Sequence, residues 1–208
     1  MKKSQLIVTG PKSAKKVFIF AHGAGAPMDS DWMNEVSTLL KDQSITTVRF
    51  EFPYMQERRE TGKKRPPNTQ KVLLETWKEV IALYADKEIY IGGKSMGGRM
   101  ASLISDEEAV KGLICLGFPF HAPGKFDIND PKGRIEHLKS LKTKSIIIQG
   151  ERDSMGNLEE VKQYTFSKKI KVHWMNDGDH SLKPRKKSGY TLEDNLDEAV
   201  KIISKFMA

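Results

Sequence analysis

The sequence predicts an α/β protein: a mostly parallel central sheet with helices on both faces. Three observations carry this expectation. Short apolar runs alternate with longer amphipathic stretches at least five times along the 208 residues, the order that builds parallel strands joined by helical crossovers. Residues 17–21 (Val-Phe-Ile-Phe-Ala) are continuously apolar, as in a strand covered on both sides. Gly93, Ser95 and Gly97 set a G-x-S-x-G turn between a strand-like run, residues 88–91, and a helix-compatible one, residues 99–104.

Taken in order, residues 6–9 are a short apolar run closed by Gly10-Pro11, suited to a sheet edge. The strand at 17–21 ends in His22, Gly23, Ala24 and Gly25. Residues 28–40 read as a helix with Asp29 or Ser30 as N-cap and Trp32, Val36, Leu39 and Leu40 on one face. Residues 45–50 form the next strand. Residues 52–68, with Pro53, Gly62, Pro66 and Pro67 among many basic residues, read as irregular. Residues 69–84 carry an apolar helical stripe through Val72, Leu73, Trp77, Val80, Ile81 and Tyr84. After the glycine-rich turn come strands at 112–118 and 145–149, separated by a loop and a short helix near 134–141. Residues 156–167 are weakly helical, 170–175 make the last strand, and 191–206 the closing helix, with Leu192, Leu196, Ala199, Val200, Ile203 and Phe206 inward. One domain spanning 1–208 accommodates all of this, with no repeat or linker.

Composition narrows the class. No apolar run approaches the ~20 residues that span a membrane, and the N-terminal segment is too short in apolar residues for a secretory signal. The lone Cys115 excludes an internal disulfide framework, and no metal-ligand spacing occurs. A cytoplasmic protein without metal or other cofactor is expected. The net charge of +8 comes from scattered lysines. No recognisable nucleic-acid module accompanies it, so nucleic acid is not the expected partner. Nothing in the sequence marks an oligomer interface.

The G-x-S-x-G turn competes with a P-loop reading of Gly93-Lys94-Ser95. A P-loop needs another glycine five residues earlier, where Glu88 stands, and residues 89–92 resemble a strand, so that reading fails. Strand, sharp turn and helix are instead the setting of a nucleophilic serine at Ser95. Such a serine needs a base to take its proton and an acid to orient that base. Fold order places acid and histidine on loops after later strands. The strand at 145–149 is followed by Gly150-Glu151-Arg152-Asp153, and the strand at 170–175 by Asn176-Asp177-Gly178-Asp179-His180. Asp153 and His180 therefore complete the set, 58 and a further 27 residues downstream. Glu151 and Asp177 compete for the acid role, but Asp177 sits too close to His180 in sequence to come from the neighbouring strand's loop. His22 reads as a turn residue, His173 as a structural one within a strand, and His121 and His137 have no motif around them. Two amides must hold the developing oxyanion: that of Met96, directly after the serine, and one from the 22–25 turn. Ala24 is favoured over Gly25 for the second.

The strings FIFAHGAGAPMDS, FEFPYM with a following KKRPPN, IGGKSMGGRMAS, IIQGERDSMG and DGDHSLKPRK resemble the compact α/β-hydrolases of the KANL/TEX-like branch, relatives of the dienelactone hydrolases. The resemblance spans nearly the whole chain. It implies an α/β-hydrolase fold with Ser95, Asp153 and His180 as triad, and serine where dienelactone hydrolases proper carry cysteine. The branch includes eukaryotic members regarded as components of chromatin complexes, so it also implies an alternative: an interaction protein without turnover. The short inserts at 52–68 and 118–134 leave no room for a large cap, which suits a small acyl substrate, ester or thioester. Arg58 and Arg59 from one loop, and Lys183 and Arg185 from another, would draw an anionic substrate if both overhang the site.

Overall fold

The computed structural model describes residues 1–129 and 133–208; residues 130–132, within the 118–134 insert, lie outside the described residues. Seven strands form one sheet: β1 (Ile7–Thr9), β2 (Lys16–Ala21), β3 (Thr46–Phe50), β4 (Glu88–Lys94), β5 (Gly112–Leu116), β6 (Ser145–Gly150) and β7 (Ile170–Met175). Their order is β1-β3-β2-β4-β5-β6-β7. Only β1 runs antiparallel, against β3; every other neighbouring pair is parallel. Parallel neighbours require crossovers, and these are α1 (Asp31–Asp42), α2 (Pro53–Thr61), α3 (Gln70–Ala82), α4 (Met96–Ile104) and α5 (Leu158–Val161), followed by the closing α6 (Leu192–Met207).

The alternation of side chains along each strand separates two cores. From β2, Val17, Ile19 and Ala21 join Leu73, Trp77, Val80 and Ile81 of α3 and Met100, Ala101 and Ile104 of α4. Phe18 and Phe20 point the other way, into Met33, Val36 and Leu40 of α1 and Leu196, Ala199, Val200 and Ile203 of α6. Each large apolar side chain sealed in this way contributes roughly 1.5–3 kcal/mol relative to exposure. The result is an α/β-hydrolase fold with helices on both faces of the sheet and no large cap insertion. Among the described residues no helix is long and apolar enough to cross a membrane.

The segment expected to be irregular contains α2. Pro53 occupies its first turn, where a missing N–H costs nothing, and Gly62 closes it in the left-handed region at φ 71°. Only Tyr54 and Met55 of this helix are buried, so it carries no apolar stripe to betray it. The helical character expected over 156–167 condenses to α5, whose N-cap Asn157 accepts from the amides of Glu159 and Glu160. The helix expected near 134–141 is a single 3-10 turn, Glu136–Lys139.

Candidate active site

In parallel sheets of this kind, ligands meet the carboxyl ends of the strands, and β2, β4, β6 and β7 send their following loops to one place. At the end of β4 the chain turns so sharply that Ser95 takes φ 52°, a strained value for a residue with a side chain. The close approach around it explains the two glycines. A Cβ on Gly93 would lie 2.4 Å from the Ala21 carbonyl oxygen, and one on Gly97 would lie 2.6 Å from that of His22. Ser95 is locked by its own backbone: its amide donates to Leu116 O and its carbonyl accepts from the Arg99 amide. That leaves Oγ for the site. The helix α4 begins at the next residue, so the Met96 amide belongs to the first turn, which has no intrahelical acceptor.

Ser95 Oγ lies 2.9 Å from Nε2 of His180, and Nδ1 of the same ring lies 2.8 Å from Asp153 Oδ2. Asp153 is fully buried, whereas the His180 side chain keeps 28% of its surface open to solvent. A buried carboxylate needs donors. Asp153 has the His180 ring, the Met155 amide at 2.8 Å on Oδ1, and the side-chain amide of Gln149 at 2.8 Å on Oδ2. Gln149 is itself fully buried at the end of β6. Its Oε1 accepts from the Phe118 amide at 2.7 Å, and its Nε2 also reaches the carbonyls of Phe118 and Gly156. Gln149 thus fixes both the acid and the loop after β5.

The loop that carries His180 is held by its carbonyls. Those of Asn176 and Leu182 accept from Asn195, that of Asp177 from Arg152, that of His180 from Lys94 Nζ, and that of Ser181 from Trp32. Five carbonyls and four side chains from β4, α1, α6 and the loop after β6 define where the imidazole stands. Lys94 runs beneath the loop, its ammonium 5.7 Å from the centre of the Trp32 ring. Burial pushes its pKa down to about 8, partly offset by the charges of Asp153 and Asp179.

On the other side of Ser95, the 22–25 turn is tied down in the same manner. His22 is buried, donates from Nδ1 to Gly23 O at 2.6 Å and accepts at Nε2 from the Phe52 amide at 3.1 Å. Both ring nitrogens are used by a neutral imidazole, and burial holds its pKa below the ordinary value. Tyr54 OH donates to the carbonyls of Gly23 and Ala24, and Arg58 to that of Gly25. A trans peptide puts N–H opposite C=O, so the Ala24 amide faces away from Tyr54. Gly23 sits against Ser95, a Cβ there being 3.5 Å from the serine Cβ.

The cationic residues expected near the substrate part ways. Arg59 binds Glu51 at 2.5 Å and Asp29 at 2.8 Å. Arg185 is paired with Asp177, whose carboxyl it holds well below the usual range. Arg58 is engaged with Gly25, and Lys183 makes no ion pair among the described residues. No cluster of three or more His, Cys, Asp or Glu side chains among the described residues is arranged to hold a metal ion. Gln149, Lys94 and Tyr54 escaped the sequence reading. The signal for the first two was present, since each is a polar residue closing an otherwise apolar strand.

The profile of the family described as Alpha/beta hydrolase domain matches residues 14–208. The chain belongs to that family. This alpha/beta hydrolase is similar in structure to an alpha-beta serine hydrolase homologue from Coxiella burnetii, at 18% identity, covering 98% of this chain and 91% of that one with TM-score 0.70. It is similar also to a dienelactone hydrolase from Anabaena variabilis, at 16% identity, 97% and 89% coverage and TM-score 0.71. A third likeness is to Est1E from Butyrivibrio proteoclasticus with ferulic acid bound, at 18% identity, 96% and 94% coverage and TM-score 0.65. At these identities the likeness is one of fold. No curated protein matches the chain.

Proposed function

We propose that this alpha/beta hydrolase is a serine hydrolase, carboxylesterase-like, that cleaves a small acyl substrate, ester or thioester, through Ser95, His180 and Asp153. The observation that carries the proposal is the unbroken hydrogen-bonded line from Ser95 Oγ through the imidazole to a buried carboxylate, at 2.9 and 2.8 Å. With the Nδ1–H of His180 donating to the Asp153 carboxylate, Nε2 presents a lone pair to the serine hydroxyl. His180 takes the hydroxyl proton as Oγ attacks the acyl carbon. The tetrahedral oxyanion rests on the amides of Met96 and Ala24. Collapse expels the alcohol or thiol, which takes its proton from Nε2. Water then repeats the sequence on the acyl-serine, returning the acid and free Ser95. Asp153 orients the ring and stabilises the imidazolium formed twice in each cycle.

No cofactor enters this scheme. Residues 1–208 act in it as one domain, and the narrower likeness to the compact KANL/TEX-like branch rests on the five motif strings. The lone buried Cys115 suits a cytoplasmic setting. An anionic acyl group would meet Arg58 and Lys183, since Arg59 and Arg185 are neutralised by carboxylates. The test is labelling by a fluorophosphonate, read by intact mass. Wild type should gain one adduct, and Ser95→Ala and His180→Ala none. Absence of an adduct on folded wild type would sink the proposal in favour of an interaction protein.

A further inference from the structure

A concavity of about 780 Å³ lies far from Ser95, at the opposite end of the sheet. Lys142 and Lys144, just ahead of β6, form one side. Lys168, Lys169 and Lys171, at the start of β7, form the second. Lys201 and Lys205, on the last turns of α6, close the third. The one carboxylate on the wall is Glu198, and no carboxylate among the described residues lies within ion-pairing distance of any of the seven ammonium groups. Elsewhere lysines do find partners: Lys78 with Glu107, Lys139 with Glu136, Lys162 with Glu159. Seven lysines against one glutamate give this concavity a net of six positive charges, out of +8 for the whole chain. The remaining surface is therefore nearly balanced.

A solvated lysine face needs no concavity and no sorting of charge. Lys205 complements the carbonyl end of α6, which accounts for one of the seven; Lys201 stands a turn earlier on the same helix, and the other five come from loops and a strand end, where no helix terminus accounts for them. Like charges around a hollow focus the field within it and raise the local concentration of anions. The hollow also has an apolar wall, made by Ile146, Ile202 and Phe206, with Lys144 Nζ 5.4 Å above the Phe206 ring. A half-open hollow of this size with an apolar wall on one side suits a compact ligand more than an extended strand.

We propose that this concavity is a binding site for a small oligophosphate anion bearing an apolar or aromatic body, separate from the hydrolytic site. The phosphates pair with the lysines ahead of β6, at the start of β7 and on α6, and the body lies on Ile202 and Phe206.

The probes are ATP and inorganic tripolyphosphate, titrated into the full chain at low salt by calorimetry and thermal unfolding. Both should bind and raise the midpoint of unfolding, ATP about tenfold more tightly, with affinity falling as salt is added. The triple variant Lys144→Gln, Lys169→Gln, Lys171→Gln should weaken both by about tenfold or more, with fluorophosphonate labelling of Ser95 unchanged. No binding by wild type, or equal affinities for wild type and a folded triple variant, overturns the site. Equal affinities for ATP and tripolyphosphate overturn the role of the apolar wall. Binding of single-stranded RNA or of anionic phospholipid vesicles that tripolyphosphate does not displace overturns the small-ligand reading. Loss of labelling with anion binding intact would instead strike the proposed hydrolase alone, so the two readings fail separately.

Discussion

The two ends of β6 and β7 make opposite use of polar side chains. At their carboxyl ends every group that matters is answered: Asp153 has three donors, Gln149 spends both ends of its amide, and five carbonyls of the His180 loop have side-chain partners. At their amino ends seven ammonium groups share a hollow with a single, unpaired carboxylate. Burial explains the contrast. A buried polar group without a partner costs about 1–3 kcal/mol, so the sealed end must be complete in the free protein. An exposed lysine is satisfied by water, so the open end can stand without a partner at little cost. The first arrangement fixes the candidate site in advance; the second leaves its charge open to solvent.

The largest blow to the sealed end comes from Asp153→Asn. The amide fits the space but can donate to Nδ1, which turns the Nε2 lone pair away from Ser95. The expected loss in kcat is about 10⁴-fold, with the fold retained, measured by ester hydrolysis beside circular dichroism. A loss of less than about tenfold would mean that the acid is not what orients His180.

Much of this end was legible in the sequence because its chemistry is local to short strings. G-x-S-x-G identifies Ser95 through steric demands on Gly93 and Gly97, and Asp153 and His180 each directly follow a strand whose apolar run marks its end. The central strands β2, β3, β5 and β6 were equally plain, being buried on both faces. What stayed hidden depends on partners distant in sequence. Arg59 and Arg185 look like free cations in the string, yet Glu51, Asp29 and Asp177 capture them once the chain is folded. The helix α2 hides because its sequence, Gln-Glu-Arg-Arg-Glu-Thr after Met55, offers no apolar period, and its signals are Pro53 and Gly62 at its ends. The lysine hollow is invisible for a related reason: its seven members sit on three elements that only the sheet order brings together.

The supports of the sealed end should give smaller effects. Gln149→Leu removes a donor from Asp153 and strands the Phe118 amide and the Gly156 carbonyl in the core. A stability loss of about 2–4 kcal/mol is expected in denaturant unfolding, together with a fall in kcat of about tenfold or more. Stability unchanged would show that water or another group replaces the amide.

Lys94→Met tests the support under the His180 loop and carries a pH signature. In the folded protein Lys94 titrates near pH 8, below its unfolded value of 10.5. Between those values the unfolded chain binds more protons than the folded one, so wild type gains stability as pH rises through that window. The methionine variant lacks this gain. Its denaturant midpoint, compared with that of wild type, should therefore stand highest near pH 7 and lose ground by pH 10. Its kcat should fall about tenfold through a less fixed imidazole. Parallel pH profiles for the two proteins would rule out a lysine destabilised by burial.

The smallest effect belongs to the open end and sharpens the contrast most. Lys169→Gln and Lys201→Gln each remove a charge that contacts no carboxylate, so neither substitution breaks a pair. In the absence of added anion, stability should change by no more than about 0.5 kcal/mol, and any change should be toward greater stability, since seven like charges become six. Added salt should erase that gain, because screening relieves the same repulsion in wild type. Ester hydrolysis should be unaffected. A loss of stability above about 1 kcal/mol would mean that these lysines hold the fold together through their stems, as snorkelling side chains do. The hollow would then be a structural seam rather than a charge left open.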